Sequence, residues 1–281
     1  MTSLLFKLSK RKSIMSSGNP LLTDKALSNL QTYPRPATAH FTMGSAIAKT
    51  GVLFAFLAIV GMAVGFHCAD LLRNAAVTVV QQEGHINNLS SIPSEVFNFL
   101  FGGLMIGFVL ALIIIFFKTA APFLSIPYAI AEGCCLGAFT AIFERMYPGI
   151  AWQAAGLSGG VFLVIWILYA TGAVRATPAF VRGLLAATLA IVAVYLIDIV
   201  AQVFFSVEVP ILHETGWGGI LVSLLICAVA AFNFVIDFNF FEEAAESRAP
   251  KYLEWYAGFG LMVTFVWLYI EILKLLAKVK K

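Results

Sequence analysis

Charge is what this chain has least of. Only 12% of its residues are Asp, Glu, Lys or Arg, against about 25% in a soluble domain, and that shortage excludes a globule surrounded by water. No Gly-rich phosphate loop and no Gly-x-Ser-x-Gly elbow occurs, and basic residues do not cluster with aromatics, so nucleotide, hydrolase and nucleic-acid functions have no carrier. The four cysteines, Cys68, Cys134, Cys135 and Cys227, and the four histidines, His40, His67, His85 and His213, show no metal-ligand spacing. His213-Glu214 is not His-Glu-x-x-His, and the adjacent Cys134-Cys135 pair, if helical, closes no relaxed disulfide. The cysteines read as small apolar packing residues. Strict apolar-polar alternation is missing too, which excludes a membrane β-barrel.

What the chain does have is apolar length. Hydrophobic residues make up 60% of it and its mean hydropathy is +0.91, the composition of an integral membrane protein. Unbroken apolar runs fall at 45–66, 96–117, 122–143, 150–172, 182–205, 217–239 and 256–277. Each is long enough to cross a hydrocarbon core of ~30 Å at ~1.5 Å per helical residue. The expected fold is all-α, a polytopic bundle of seven transmembrane helices. Residues 45–281 form the membrane domain and residues 1–44 a polar, Pro-containing tail. That tail is not expected to be a signal peptide, because its basic stretch is followed by polar residues and not by a short apolar core.

Lys and Arg give the orientation. Lys7, Lys10, Arg11, Lys12, Lys25, Arg35, Lys118, Arg175, Arg182, Arg248 and Lys251 share one side of a seven-span chain, whereas the opposite connections hold only Arg73 and Arg145. The bias predicts a multi-pass protein of the cell membrane with a cytoplasmic N-terminus. Lys274, Lys278, Lys280 and Lys281 disagree, since a seventh crossing exports them. Either the last segment crosses fully, the reading adopted here, or it bends back at Gly258 and Gly260.

Carboxyl groups inside the spans are the functional candidates, because a carboxylate in hydrocarbon costs several kcal/mol unless it is protonated, paired or wetted. Four qualify: Glu132, Asp198, Asp237 and Glu271. Glu132 stands beside Gly133 and Gly137, whose small-x-x-x-small spacing predicts close helix packing, so a structural hydrogen bond is its bland reading. Asp198 has Gln202 at i+4 as a local partner. Asp237 has Asn233 one turn earlier. Glu271 has Lys274 at i+3 and Lys278 one turn further, both able to reach a headgroup layer.

Several separated motifs carry a family resemblance. They are Ser17-Gly-Asn-Pro-Leu-Leu, Ala48-Lys-Thr, Glu132-Gly with Leu136-Gly-Ala, Phe143-Glu-Arg-Met-Tyr-Pro-Gly-Ile with Gln153-Ala, and Arg175-Ala-Thr-Pro. Asp237-Phe-Asn, Ala249-Pro with Glu254-Trp, and Trp267-Leu-Tyr-Ile-Glu-Ile-Leu complete the set. In these the chain resembles the Bax inhibitor-1/YccA family, in the transmembrane Bax inhibitor motif group, and its bacterial branch. The resemblance implies a central last helix, a bacterial inner-membrane location and no enzymatic activity. It further implies a proton-sharing pair of acids, Asp237 on the sixth helix and Glu271 on the seventh, as the pH-sensitive gate of a calcium leak. Two features depart from the calcium-leak members: Glu271 stands where an Asp is usual, and the segment between the acids, 238–270, is longer. Lys118 matches a cationic residue near the inner end of the second span, and Asn233 lies beside the gate.

Two carboxyls in hydrogen-bond reach at low dielectric titrate as a unit, so the pair as implied holds one proton when shut and repels when that proton leaves. Asp237 and Glu271 are also the candidate calcium ligands, but calcium takes six to eight oxygens, so carbonyls, water, Glu132 or Asp198 must contribute. The expected partners are the lipid bilayer, protons, calcium or other cations, with no nucleic acid and no bound cofactor. The alternative function implied by bacterial relatives is restraint of a membrane-bound ATP-dependent protease through the tail. An intramembrane aspartyl protease built on Asp198 and Asp237 lacks the Gly-x-Gly-Asp and Pro-Ala-Leu elements. A coupled transporter lacks an internal repeat.

Overall fold

A computed structural model of the chain describes residues 40–82, 92–205, 214 and 216–280. The expectations placed on the tail at 1–39 therefore lie outside the described residues. Seven helices follow in order: α1 Met43–Gln82, α2 Ser94–Phe116, α3 Ala121–Met146, α4 Ile150–Ala170, α5 Pro178–Phe205, α6 Trp217–Glu246 and α7 Leu253–Lys280. A short 3-10 turn, Lys118–Ala120, joins α2 to α3. All seven are long and apolar enough to span a bilayer, and the described residues form no strand beyond an isolated bridge between His40 and Pro250. We call the end where α1 starts the first face and the end where α7 stops the second.

Hydropathy located the crossings but not the helix ends. Asp70, Arg73 and Asn74 leave the apolar run while keeping helical backbone, so α1 continues to Gln82 where a loop from residue 67 was expected. Asp70 and Arg73 stand 3.7 Å apart at i,i+3 there, a spacing suited to a helical surface. The motif at 143–150 is a tight corner. Gly149 takes φ +82°, a left-handed conformation that glycine adopts at no steric cost. Glu144 folds over that corner and accepts from the N–H of Gly149 at 2.6 Å and of Ala151 at 2.9 Å, satisfying donors at the start of α4 that have no partner within the helix. Arg145 donates to the Leu72 carbonyl at 2.6 Å and ties the corner to α1.

The bundle is apolar outside as well as inside. Phe116, Phe123, Trp152, Val203 and Phe204 all face outward, as lipid contact requires. The most enclosed helix is α7, which packs against α1, α3, α4 and α6; Tyr256, Phe259, Met262 and Leu268 on it are wholly buried. The last helix is thus central, as expected. It also runs unbroken through Gly258 and Gly260. A β-carbon on Gly258 would stand 2.8 Å from Thr50 Oγ1, so this glycine permits close approach to α1 and does not mark a bend. Lys274 pairs with Glu271 at 3.0 Å, and Lys278 donates to the Gly219 carbonyl at 3.2 Å and to Ser223 Oγ at 2.8 Å, so two of the tail cations are spent inside the bundle.

Small residues let α1 and α2 close on α3. A β-carbon on Gly137 would meet the Gly61 carbonyl oxygen at 2.5 Å and the Gly65 nitrogen at 2.9 Å, and one on Gly103 would meet the Ala131 oxygen at 2.6 Å. These obstacles are backbone and cannot rotate away. Gly137→Leu is expected to cost about 1–3 kcal/mol or more by forcing α1 off α3, whereas Gly159→Leu, where nothing lies within 4 Å, should be nearly neutral. Paired melting curves in detergent check the difference, and equal melting temperatures would contradict it.

Candidate functional site

The four carboxyls of the spans occupy four different surroundings. Glu132 sits where α2 and α3 touch: its Oε2 would be 3.2 Å from a β-carbon on Gly107, with the Tyr128 ring alongside. Asp198 is buried on α5 and accepts from Gln202 Nε2 at 2.7 Å, the i+4 pair that the sequence suggested. Asp237 is fully enclosed on α6. One turn before it, Asn233 donates to Thr188 Oγ1 at 3.1 Å and to the Val229 carbonyl at 2.8 Å, so Asn233 joins α6 to α5.

Glu271, on the central helix, is 2% exposed and has two partners. Tyr195 of α5 donates its hydroxyl to Oε2 at 2.8 Å, and the Lys274 ammonium lies 3.0 Å from Oε1. That ammonium also stands 4.6 Å from the centre of the Tyr195 ring, a cation–π distance. Carboxylate, phenol and ammonium therefore close a triangle between α5 and α7 near the second face. The sequence paired Glu271 with Lys274 and Lys278; only Lys274 reaches it by hydrogen bond, and Tyr195, at no readable spacing, had no signal.

The acids expected to face each other stand on different levels. Across the antiparallel pair of α6 and α7, the ring of Phe234 meets Phe265 and that of Phe240 meets Tyr256. Asp237, midway between Phe234 and Phe240, is thus level with about residue 261. Glu271 lies about ten residues further along α7, roughly 15 Å at the rise of an α-helix. The hairpin between them has unequal arms, nine residues of α6 after Asp237 and eighteen of α7 before Glu271, and that inequality sets the two acids at different levels.

Lys118 lies in the 3-10 turn between α2 and α3, at the very start of the third span. Its ammonium is 5.5 Å from the centre of the Tyr256 ring, near the start of α7 and far in register from Glu271. Among the described residues no group of three or more His, Cys, Asp or Glu could hold a metal ion.

A fifth carboxyl belongs to the Ala249-Pro…Glu254-Trp motif, which carries no signal of a site in the sequence. Glu254, in the first turn of α7, has no exposed surface. Its Oε1 accepts from the Thr42 N–H at 2.9 Å and from the Thr42 hydroxyl at 3.3 Å, and its Oε2 accepts from Ser45 Oγ at 2.9 Å. Lys49 completes the set as a salt bridge to Oε2. The Phe41 N–H donates to the Ala249 carbonyl at 2.7 Å just outside. One carboxylate thereby caps the start of α1 from the start of α7, where the dipole of α1 favours negative charge. The Ala-Pro…Glu-Trp motif and the Lys49-Thr50 motif are two halves of one clamp.

A family model described as Bax inhibitor 1 like matches residues 16–281. No curated protein matches the chain, and no solved structure does.

Proposed function

The chain belongs to the Bax inhibitor 1 like family, and from that premise we propose that it passes cations slowly down their gradient through a path beside α7, under control of the protonation state of Glu271. The supporting observation is the triangle of Glu271, Tyr195 and Lys274, buried on the central helix. Elsewhere α5 has few anchors: its buried residues are Val181, Leu184, Thr188 and Asp198, so the Tyr195 hydroxyl is a large share of its attachment to α7. With Glu271 ionised, that hydroxyl and the Lys274 ammonium are both satisfied and α5 stays docked. A proton on Glu271 removes the ion pair, Lys274 turns to water, and α5 loosens.

The leak on this reading rises as pH falls. The sign is opposite to that of an acid pair sharing one proton, because the latch is an ion pair and needs charge to hold. Asp237, about ten residues away in register, is a second station on the same path. Calcium is the cation that the resemblance implies. Glu271, already shared with an ammonium, lacks the oxygen neighbours of a calcium-binding cage, which favours passage over storage.

Glu271→Gln and Asp237→Asn in proteoliposomes test the reading, with calcium and sodium flux followed from pH 5 to 8. Glu271→Gln should be leaky and indifferent to pH, and Asp237→Asn should conduct less at every pH. Flux unchanged by both substitutions throughout that range would end the proposal. Restraint of a protease through the tail is a separate function; trimming the chain to begin after residue 39 spares the Thr42 anchor and should leave the leak intact.

A further inference from the structure

A groove of about 1260 Å³ opens between α1 and α4, floored by α6 and α7, larger than the roughly 300–1,000 Å³ of an ordinary small-molecule pocket. Its deep part is aromatic and aliphatic: Phe54, Phe162, Leu261 and Phe265. Its rim at the first face is polar and carries one charge of each sign, Arg175 from the α4–α5 turn and Glu242 from the end of α6. Both are exposed.

Depth identifies the kind of occupant. From Met43 at the rim to Phe54 inside is eleven residues of α1, about 16 Å along the helix. That is about half of a hydrocarbon core of ~30 Å, the thickness of one leaflet. A largely apolar trough one leaflet deep, charged only at its outer end and with its inner hydroxyl, Thr50, already donating to the Ala46 carbonyl, matches an acyl chain beneath its own headgroup and does not match a soluble molecule.

Charge identifies the headgroup. The Arg175 guanidinium lies along the Gly172 turn, with Nη2 3.1 Å from where a β-carbon of that glycine would be, and has no hydrogen bond or ion pair with another described residue. A planar guanidinium suits a phosphate, which it binds through paired N–H donors. Glu242 accepts from the Tyr169 hydroxyl at 2.5 Å, which fixes its carboxylate at the rim. A headgroup that is only anionic meets that carboxylate with repulsion. One that carries a phosphate and a primary ammonium satisfies both residues.

We propose that this groove is a binding site for a phospholipid of the bilayer with a zwitterionic primary-amine headgroup, its phosphate on Arg175, its ammonium on Glu242 and an acyl chain against Phe54, Phe162 and Phe265. Choline lacks the N–H donors that the carboxylate wants, and phosphatidylglycerol lacks the cation.

Native mass spectrometry of the full chain, delipidated in detergent and titrated with phosphatidylethanolamine, phosphatidylcholine or phosphatidylglycerol, tests this. Phosphatidylethanolamine should be retained best. Arg175→Gln should lower retention of all three lipids, and Glu242→Gln should abolish the preference for the amine, each by roughly tenfold, the loss expected for one charge-assisted hydrogen bond. Gly51→Phe is the steric variant: Gly51 lines the groove and a β-carbon there meets nothing within 4 Å, so the ring can fill the trough while the helix stays intact. It should reduce binding of every lipid without lowering the melting temperature. Equal retention of the three lipids by the parent chain would overturn the headgroup assignment, and undiminished retention in Gly51→Phe would overturn the groove.

Discussion

Replacing Glu254 with alanine should be strongly destabilising. The carboxylate has no exposed surface and gathers the Thr42 N–H, two hydroxyls and the Lys49 ammonium. Its removal leaves an uncompensated cation and an unsatisfied backbone donor, a defect that costs about 3–5 kcal/mol when fully buried. Lys49 keeps 19% side-chain exposure and can turn outward, so the expected loss is near 3 kcal/mol. Glu254→Gln retains acceptors for Thr42 and Ser45 and should lose about half as much. Lys49→Met strands the carboxylate, but three hydrogen bonds still hold it. Melting curves of the single variants and of Glu254→Gln/Lys49→Met form a double-mutant cycle, in which the pair should cost clearly less than the sum of its parts. A Glu254→Ala protein that melts with the parent chain would show that the clamp holds nothing.

The second large effect is expected at Lys274. Lys274→Met leaves Glu271 with the Tyr195 hydroxyl as its one described hydrogen-bond partner, and a buried carboxylate without its cation must take a proton, draw in water or push the helices apart. Lys274 is partly exposed, so the loss should be about 2 kcal/mol, less than for a fully buried pair. The stranded group is a carboxylate, so removing its charge as well should restore part of what loss of the ammonium takes away. The double variant Glu271→Gln/Lys274→Met carries no stranded charge and should regain stability over Lys274→Met alone, yet remain leaky, because Tyr195 then has only an amide oxygen to hold α5. If the double variant melts with Lys274→Met alone, the ammonium is not the partner that matters. Flux and melting read on the same samples separate the latch from general unfolding.

The membrane class and the seven crossings were legible because both depend on composition summed over some twenty residues, where individual side chains average out. Small-residue spacing at Gly133 and Gly137 was legible for a related reason: a missing β-carbon is a local property, and close approach is nearly its only use on an apolar helix. The i+4 pair of Asp198 and Gln202 and the i+3 pair of Glu271 and Lys274 needed only the helical repeat. Tyr195 was not legible, since nothing in its neighbours says that α5 lies beside α7 at that level. Glu254 belongs to a legible motif, but its role was not legible, because its partners are more than two hundred residues away in sequence.

By itself, then, the order of residues determined the solvent this protein folds in, the number of its helices and which carboxyls are costly enough to need a reason. Hydrophobic transfer and helical periodicity act within a segment and ask nothing of the rest of the chain. The register between helices was decided only in three dimensions. Packing of Phe234 on Phe265 and Phe240 on Tyr256, with the unequal arms of the 238–270 hairpin, sets Asp237 and Glu271 about ten residues apart in level, and the packing of α5 on α7 gives Glu271 a tyrosine partner beside its lysine. The same tertiary packing brings Arg175 and Glu242 to one rim above a trough one leaflet deep, because the relative height of two helices depends on every side chain between them and on no single stretch of sequence.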